Sequence, residues 1–420
     1  MEKTVRIKEE EKELSFLFMG DFCPIGGIEE VCRSGEAKDV DRIFEEFKVE
    51  LKDKDLSIAN LECPLTTSEK TIFKDGPHIK ADPVAVRMAK DCEMDVLSLG
   101  NNHILDFGEE GLLETIRTLE DNGFAHLGAG RNVEEARKPL IREIKGIRAA
   151  FLSFCETEFN IGSETEAGCA PIEIHEISTA IRKAKERERA DIVIVLLHSG
   201  SEHYPLPSPR VKKQCRNIAD SGAAAVICHH THTSEGFEIY NNVPIFYGLG
   251  NFIFGIYKTQ RRVPKGRDGI MARIDFNRKG AVELKVIPYS YRAPESVLVK
   301  MDKDQLNSFW NRYDLLNEIV RDEDKLGRVW RQYSLRRYKA WYSPSLKKAR
   351  LYFWKNRAWR NMILWHNRTN ESHNDVIMTA LNELKKGKST VDREAKELLD
   401  ELIGRETNIM KIKRLIRAWI

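Results

Sequence analysis

Short apolar runs rich in β-branched residues recur along the first 300 residues, and they constrain the fold more than any other feature of the chain. Each run has the length of a strand, and continuous apolar strands of this kind form sheets that are covered on both faces. The predicted strands are LSFLFMG (14–20), LSIANLE (56–62), MDVLSLG (94–100), AAFLSF (149–154), DIVIVLLHSG (191–200), AAAVICHH (223–230) and VPIFYGLGNFIF (243–254).

Amphipathic segments between these strands predict helices. EEGLLETIRTLEDNG (109–123) and HEISTAIRKAKERERA (175–190) carry apolar residues at helical spacing. The first ends on Gly123, a residue suited to the left-handed position that closes a helix. Strands that alternate with helices predict an α/β fold.

A change of composition near residue 298 predicts a boundary between a body, residues 1–298, and a C-terminal tail, residues 299–420. Residues 301–420 hold 26 Lys and Arg against 16 Asp and Glu, whereas the preceding 300 residues hold 42 against 49. All seven tryptophans lie in the tail. Helical stretches such as 304–326 and 389–404 predict that the tail is all-α.

The sequence contains no apolar run of the roughly 20 residues that a membrane-spanning helix needs. Its acidic N-terminus lacks the apolar core and the cleavage site of a signal peptide. We therefore expect a cytoplasmic location, with peripheral contact at the inner membrane face as a variant.

The eight cysteines are scattered without a C-x-x-C pair, which predicts reduced, packed thiols. Three of them lie within two residues of a metal-site position proposed below, so that one could be a ligand. These three are Cys23, Cys63 and Cys228.

Polar side chains that can bind a metal lie at the ends of five predicted strands. In an open α/β domain, the loops after the carboxyl ends of the strands gather ligands and catalytic groups. We therefore predict that these side chains converge on one site. They are Asp21, Glu62, Asn102, His103, His198, Glu202, His230 and His232.

Carboxylates, imidazoles and an amide oxygen from separate strands form a ligand set for divalent metals. In an extended segment, residues i and i+2 point the same way, so we expect His230 and His232 to reach one metal cluster. Two ions would activate a water and stabilise the oxygens of a displacement reaction, and an unligated histidine would supply a proton. Alone, Asp21 fits a turn or a helix cap, and His198 fits a hydrogen-bonded core residue. The combination predicts a metal-dependent hydrolytic site.

Seven stretches of the body carry a more specific signal. They are GDFCP (20–24), ANLECPLT (59–66), LGNNHILDFGEEGLLET (99–115), GAGRNVEEARKPL (128–140), LLHSGSEHY (196–204), ICHHTHTSEGFEIYNNVPIFYGLGNFIF (227–254) and GIMARIDFNRKGAVELKVIPYSY (269–291). In this order they resemble the CapA family, which is associated with capsule and poly-γ-glutamate synthesis in bacteria. The resemblance covers nearly the whole body, and we do not detect it in the tail.

The CapA family is similar to the calcineurin-like metallophosphatases, and this resemblance implies a four-layer α/β/β/α sandwich for the body. It implies His103 as a proton donor, Glu202 as a residue that lines the pocket and Glu62 as a bridging carboxylate. It also implies one or two divalent ions (Mn, Fe, Zn or Mg). The implied metal ligands are Asp21, Glu62, Asn102, His198, His230 and His232.

Two positions depart from the metallophosphatase pattern. That pattern has a metal-binding histidine two residues after the first aspartate, whereas Asp21 is followed by Phe22 and Cys23. The second motif has Glu62 in place of aspartate. One metal position is therefore expected to be weaker or empty, and the resemblance does not determine the substrate. His229, which precedes the H-x-H pair, receives no role.

The tail has no acidic residue between Asp324 and Glu371, and its Arg and Lys alternate with aromatic residues. Such a surface suits an anionic polymer, the capsule-synthesis machinery or an anionic membrane face. The absence of a recognised nucleic-acid motif disfavours nucleic acid. Alternatively, aromatic and large apolar residues pack the tail onto a body of opposite charge. These residues are Trp330, Tyr333, Trp341, Leu351, Trp354 and Trp365.

The favoured interpretation is a metal-dependent hydrolase or transferase of capsule or cell-envelope metabolism, acting on a polymer or on a phosphate, amide or ester bond. Two alternatives stay open. If the departures at Cys23 and Glu62 abolish metal binding, the chain is a non-catalytic capsule-assembly factor. A metal-dependent phosphodiesterase guided to nucleotides or nucleic acid by the basic tail would instead show salt-sensitive binding.

Overall fold

The computed structural model describes residues 2–255, 267–292, 297–344, 357–386 and 392–404. The strands are β1 (Lys3–Arg6), β2 (Leu14–Cys23), β3 (Leu56–Leu61), β4 (Val96–Ser98), β5 (Ala125–Leu127), β6 (Ala129–Gly130), β7 (Leu140–Ile144), β8 (Ile147–Cys155), β9 (Gly168–Cys169), β10 (Ile192–His198), β11 (Ala225–His229), β12 (Phe237–Tyr240), β13 (Val243–Phe246), β14 (Asn251–Phe254), β15 (Arg267–Asn277), β16 (Gly280–Arg292) and β17 (Val297–Val299).

The helices of the described residues fall in two sets, one in the body and one in the tail. They are α1 (Gly27–Ser34), α2 (Ala37–Phe44), α3 (Lys48–Lys52), α4 (Val86–Asp91), α5 (Gly108–Asp121), α6 (Val133–Ala136), α7 (Ile174–Glu186), α8 (Pro209–Asp220), α9 (Lys303–Arg321), α10 (Glu323–Arg337), α11 (Arg357–Thr369), α12 (Glu371–Lys385) and α13 (Arg393–Ile403). Single 3₁₀ turns occur at Glu45–Phe47 and Pro83–Ala85, and a π-helical turn occurs at Tyr338–Tyr342.

Two mixed sheets organise the body. The first has the strand order β1-β16-β15-β2-β3-β4-β5, with β14 beside the end of β2 and β17 beside β16. Its strands β2, β3, β4 and β5 are parallel. The second has the order β12-β13-β11-β10-β8-β7, and its inner strands β13, β11, β10 and β8 are parallel. β6 and β9 form a separate two-stranded ribbon.

The side chains of β2 alternate between two cores, and this alternation defines the layers. Phe16 belongs to the core between the sheets, where its ring centroid lies 5.6 Å from that of Phe151 on β8. Leu17 and Met19 belong to the core beneath α1, α2, α4 and α5. Ile177 on α7 and the apolar face of α8 join the core of the second sheet. The predicted four-layer α/β/β/α arrangement is confirmed.

The predicted strand 243–254 is wrong as a single element. The chain leaves the second sheet at Phe246 and enters the first at Asn251, because the intervening glycines permit a crossing that other residues would block. Gly250 has φ 77°, and a Cβ on Gly20 of β2 would lie 1.9 Å from the carbonyl oxygen of Gly250. The backbone N–H of Asp21 donates to the same oxygen at 2.9 Å. This crossing places the end of β14 beside the end of β2.

The tail is helical, as predicted: all regular structure in residues 303–344, 357–386 and 392–404 is helix. The stretch 304–326 is nevertheless two helices and not one. Asp322 has an extended backbone (φ −92°, ψ 105°), and its side chain accepts a hydrogen bond from the backbone N–H of Lys325, which caps α10. The boundary near residue 298 stays a prediction, and the chain there is in β17, which pairs with β16. None of the helices in the described part of the chain is long and apolar enough to cross a membrane.

The aromatic residues of the tail divide into packed and exposed ones. Trp330 and Tyr333 are buried, and Tyr333 stacks on Tyr204 of the body with ring centroids 3.8 Å apart, so their predicted packing is confirmed. The same prediction is wrong for Trp341, which is 51% exposed. Trp365 is 44% exposed, but one side of its ring packs on Phe159 of the body, with ring centroids 5.2 Å apart. Leu351 and Trp354 lie outside the described residues.

The prediction that opposite net charges hold the basic tail on the acidic body is wrong for several of the ion pairs between tail and body. Net charge predicts tail cations against body carboxylates, and Lys300 with Glu50 (2.9 Å) follows that rule. Four pairs run the other way, because local placement and not the sum of charges decides each contact. They are Lys3 with Asp314 (2.6 Å), Arg210 with Asp375 (3.4 Å), Arg216 with Glu323 (2.6 Å) and Lys212 with Glu323 (3.9 Å).

Candidate metal centre

Side chains from the ends of parallel strands of both sheets meet at one place. Among the described residues, two groups have potential ligand atoms that lie within 4.8 Å of one another. One group is Glu62, His198 and His230, and the other is Asp21, Glu62 and His232. Glu62 belongs to both groups, which is the arrangement expected of a carboxylate that bridges two ions.

The charge state of Glu62 indicates that this place suits a cation. Its side chain is fully buried, and neither carboxylate oxygen has a hydrogen-bond partner among the described residues. Burial, and then the nearby carboxylate of Asp21, raise the pKa of Glu62 well above its ordinary value. His198 Nε2 and His232 Nε2 lie 3.7 and 3.5 Å from its Oε1. An unpaired buried carboxylate is costly, and a divalent ion between these groups would balance it.

A turn after β11 brings His230 and His232 to Glu62. The strand ends at His229, and the chain then turns through His230 (φ 95°) and His232 (φ 57°), a conformation that is uncommon outside glycine. The two histidines converge as predicted, but the predicted reason, an extended segment, is wrong. His229 points away, with Nε2 3.1 Å from the carbonyl oxygen of Met19, and lies outside both groups.

His198 is held in the neutral form in which histidine binds metals. Burial lowers its pKa well below the ordinary value, and the neighbouring histidines lower it further. Its Nε2 lies 3.0 Å from Asn102 Oδ1 and 3.0 Å from His230 Nδ1. A neutral imidazole offers a lone pair without releasing a proton, and the amide oxygen of Asn102 is close enough to share the same ion.

Two asparagines that the sequence prediction missed orient the second group. Asn60 Nδ2 donates to Asp21 Oδ1 at 2.9 Å and also lies 3.3 Å from His198 Nδ1. Asn251 Oδ1 lies 2.8 Å from His232 Nδ1, whose Nε2 faces Glu62. Asn60 stands in the motif ANLE, where its strand-end position is a usable signal. Asn251 begins a strand and gives no such signal.

His103 lies beside the groups and forms a dyad with Asp106. His103 Nδ1 is 2.8 Å from Asp106 Oδ2, and Lys74 forms an ion pair with the other carboxylate oxygen. Burial favours the neutral form of Asp106, but its contacts with His103 and Lys74 outweigh burial and lower its pKa. An ionised Asp106 accepts from the ring and orients it, as a positioned proton donor requires. Asp106 was also missed, although it follows His103 by three residues.

The remaining sequence candidates stand outside the two groups. Glu202 is exposed in the turn after β10, within electrostatic range of His230 and His232. All eight cysteines are free and buried, as predicted. No thiol belongs to either group among the described residues, and burial raises the pKa of Cys23 well above its ordinary value, which disfavours a thiolate ligand there.

Fold and site together define an α/β/β/α protein with a candidate two-ion centre at the carboxyl ends of its parallel strands. The family described as bacterial capsule synthesis protein PGA_cap matches residues 15–256, more than half of the chain, and the chain belongs to this family.

Two relatives are similar over most of their length. Capsule biosynthesis protein CapA of Bacillus anthracis is 28% identical over 336 residues, which cover 78% of this chain and 77% of that protein. PGA biosynthesis protein CapA of Bacillus subtilis (strain 168) is 28% identical over 315 residues, which cover 74% and 79%. Since 78% of 420 residues is about 328 and the body has 298, the first alignment continues into the tail, and the sequence-based limit of the resemblance to the body is wrong.

Solved structures show only a remote likeness. The 5'-nucleotidase precursor from Thermus thermophilus is 14% identical with a TM-score of 0.39, over 71% of this chain and 58% of that chain. A likeness at this level does not bear on function.

Proposed function

We propose that this protein acts in the synthesis of a capsule polymer such as poly-γ-glutamate, as a metal-dependent hydrolase or transferase of a phosphate, amide or ester bond. The observation that carries the proposal is the pair of ligand groups that share the buried Glu62, with the His103–Asp106 dyad beside them. The printed names of the two CapA relatives supply the polymer class.

The chain's own residues divide the work as follows. Asp21, Glu62, Asn102, His198, His230 and His232 would hold the ions. When bound, divalent ions supply Lewis acidity at this place. Asp106 holds the ring of His103, and His103 would give a proton to the leaving group. The metals that suit this mixed oxygen and nitrogen set are Mn, Fe, Zn and Mg.

Replacing His103 with glutamine tests the catalytic part of the proposal. We expect turnover to fall about 100-fold, the lower end of the range for general acid–base catalysis, with unchanged metal content. The measurement is hydrolysis of phosphodiester, ester and γ-glutamyl peptide substrates by protein loaded with Mn²⁺, alongside elemental analysis. Asn122→Gln, an exposed substitution at the end of α5, is the control. Equal turnover of His103→Gln and the native protein would refute the role of His103.

A non-catalytic assembly factor is the second candidate, and one observation favours it. Cys23, which stands where the metallophosphatase pattern has a histidine, is buried with Phe22 in the core beneath the helices, so this segment adds no ligand to Asp21 and His232. If the native protein binds ions but turns over none of these substrates, this second candidate is supported.

The exposed tryptophans of the tail support the proposal that the tail binds an anionic polymer. The guanidinium carbon of Arg337 lies 5.2 Å from the centre of the Trp341 ring. Trp365 is exposed on α11, three residues before the exposed Arg368. We expect a Trp341→Ala/Trp365→Ala variant to bind poly-γ-glutamate at least about tenfold more weakly than the native protein, by titration of the remaining tryptophan fluorescence, because Trp with Arg offers both stacking and charge. Equal affinity would leave the capsule machinery or an anionic membrane as the partner to test.

A further inference from the structure

The loop after β8 connects the tail to the candidate metal centre through three consecutive residues. Arg210 bridges Glu156 Oε1 (2.5 Å) and Ser372 Oγ (3.1 Å). The backbone N–H and the hydroxyl of Thr157 donate to the carboxylate of Glu371 at 2.7 and 3.0 Å. Each contact reaches the first turn of α12, so this loop and this helix hold one another.

Glu158, the third residue of the loop, contacts both the tail and a candidate metal ligand. Asn370 Nδ2 donates to Glu158 Oε1 at 2.9 Å. Asn102 Nδ2 donates to Glu158 Oε2 at 3.3 Å. His230 Nε2 and His366 Nε2 each lie 4.0 Å from this carboxylate. Glu158 therefore joins α12 to the side chain of Asn102.

The contact with Glu158 determines which atom of Asn102 faces the metal groups. A side-chain amide binds a cation through its oxygen, and its NH₂ group needs an acceptor elsewhere. Because Glu158 accepts from Nδ2, the Oδ1 atom of Asn102 is directed towards His198, 3.0 Å away. Without that acceptor, the amide could turn and present its NH₂ group to a cation.

The side chain of Asn370 caps α12 through its oxygen and contacts Glu158 through its NH₂ group. It is fully buried, and its Oδ1 accepts from the backbone N–H of His373 at 2.7 Å, which makes it the N-cap of α12. Capping leaves Nδ2 free to donate to Glu158. Aspartate would cap equally well but has no donor, so the two roles of Asn370 can be separated.

We propose that Asn370 and Glu158 are positioning residues through which the tail orients Asn102 for metal binding. This rests on the proposed function, because it assumes that Asn102 is a ligand. Asn370 lies more than 100 residues beyond the PGA_cap match, which ends at residue 256. The tail is then part of the metal centre and not an appendage to it.

The test is the affinity of the full chain for Mn²⁺, measured by competition with a chelator. Groups that orient metal ligands typically contribute 10–100-fold in affinity, and we expect Asn370→Asp to weaken binding about tenfold. Asn132→Asp is the matched control: Asn132 caps α6, accepting from the N–H of Glu135 at 2.9 Å, and lies outside both ligand groups. We expect its affinity to equal that of the native protein.

A double variant separates positioning from a general structural effect. In Asn370→Asp/Glu158→Gln the new amide can donate to the new carboxylate and still accept from Asn102, so we expect most of the lost affinity to return. Glu158→Gln alone leaves the cap of α12 intact, so it replaces Asn370→Asp in the test if the metal-free Asn370→Asp variant has a lower melting temperature than the metal-free control variant. Glu158→Gln should weaken Mn²⁺ binding, because the glutamine has one acceptor oxygen for the two amide donors, Asn370 and Asn102.

The outcomes distinguish this inference from the proposed function. Native affinity in both single variants, or a double variant no better than the single ones, overturns the positioning role and leaves the proposed function standing. If the native chain itself does not bind Mn²⁺, the proposed function fails and the inference fails with it.

Discussion

Replacement of Glu62 with glutamine is expected to abolish binding of both ions and to stabilise the metal-free protein. Glu62 is shared by the two ligand groups, so its loss affects both ions. Because removal of groups that only orient ligands costs 10–100-fold in metal affinity, loss of this ligand should cost more than about 100-fold. A neutral amide also avoids the cost of a buried carboxylate whose ionised form is disfavoured by burial and by Asp21. Elemental analysis gives the ions per chain, and thermal unfolding with and without EDTA gives the stability.

Glu238→Gln is the matched control for Glu62→Gln. Glu238 is also buried, but its carboxylate accepts hydrogen bonds from Arg216 (2.9 and 2.8 Å) and Tyr247 (2.6 Å). The same chemical change should therefore lower stability equally with and without metal, and leave the metal content unchanged. If Glu62→Gln keeps its ions, Glu62 is not the shared ligand. If it melts lower than the native protein in EDTA, the buried carboxylate does not destabilise the metal-free protein.

Trp330→Ala is expected to lower the free energy of unfolding by about 3–5 kcal/mol, the usual cost of truncating a large buried aromatic residue. Trp330 packs against Tyr204 of the body and Tyr333 of its own helix, with ring centroids 5.6 and 5.4 Å apart. Its indole N–H donates to Thr379 Oγ1 at 3.1 Å. Urea unfolding followed by circular dichroism measures the loss. The exposed Trp341→Ala is the control and should change stability by no more than about 0.5 kcal/mol.

The same unfolding curves test the boundary near residue 298. Buried residues of α9 and α10 belong to the core of the second sheet, which predicts one cooperative transition for body and tail. If Trp330→Ala instead produces two transitions, and the one with the larger amplitude keeps the urea midpoint of the native protein, the tail is an independent folding unit. The boundary then divides two domains.

Much of the candidate site could be read from the sequence because its signals are local. A strand end followed by a ligand-type residue, as at Asp21, Glu62 and His198, needs only the position of an apolar run. The missed groups depend on contacts between distant segments. Glu158 contacts Asn102 and Asn370, and Asn251 reaches His232 only because the chain crosses between sheets at Gly250.

The sequence by itself determined the alternation of strands and helices, the helical tail and the convergence of carboxylates and histidines. These depend on local periodicity and on the rule that parallel strands end at one edge. The tertiary structure alone decided that His230 and His232 meet through a turn and that Trp330 is buried while Trp341 is not. It also decided that the tail reaches Asn102 through Glu158. The physical reason is that packing and hydrogen bonds between segments far apart in the chain, such as those of Glu158 and Asn370, leave no periodic trace in the sequence.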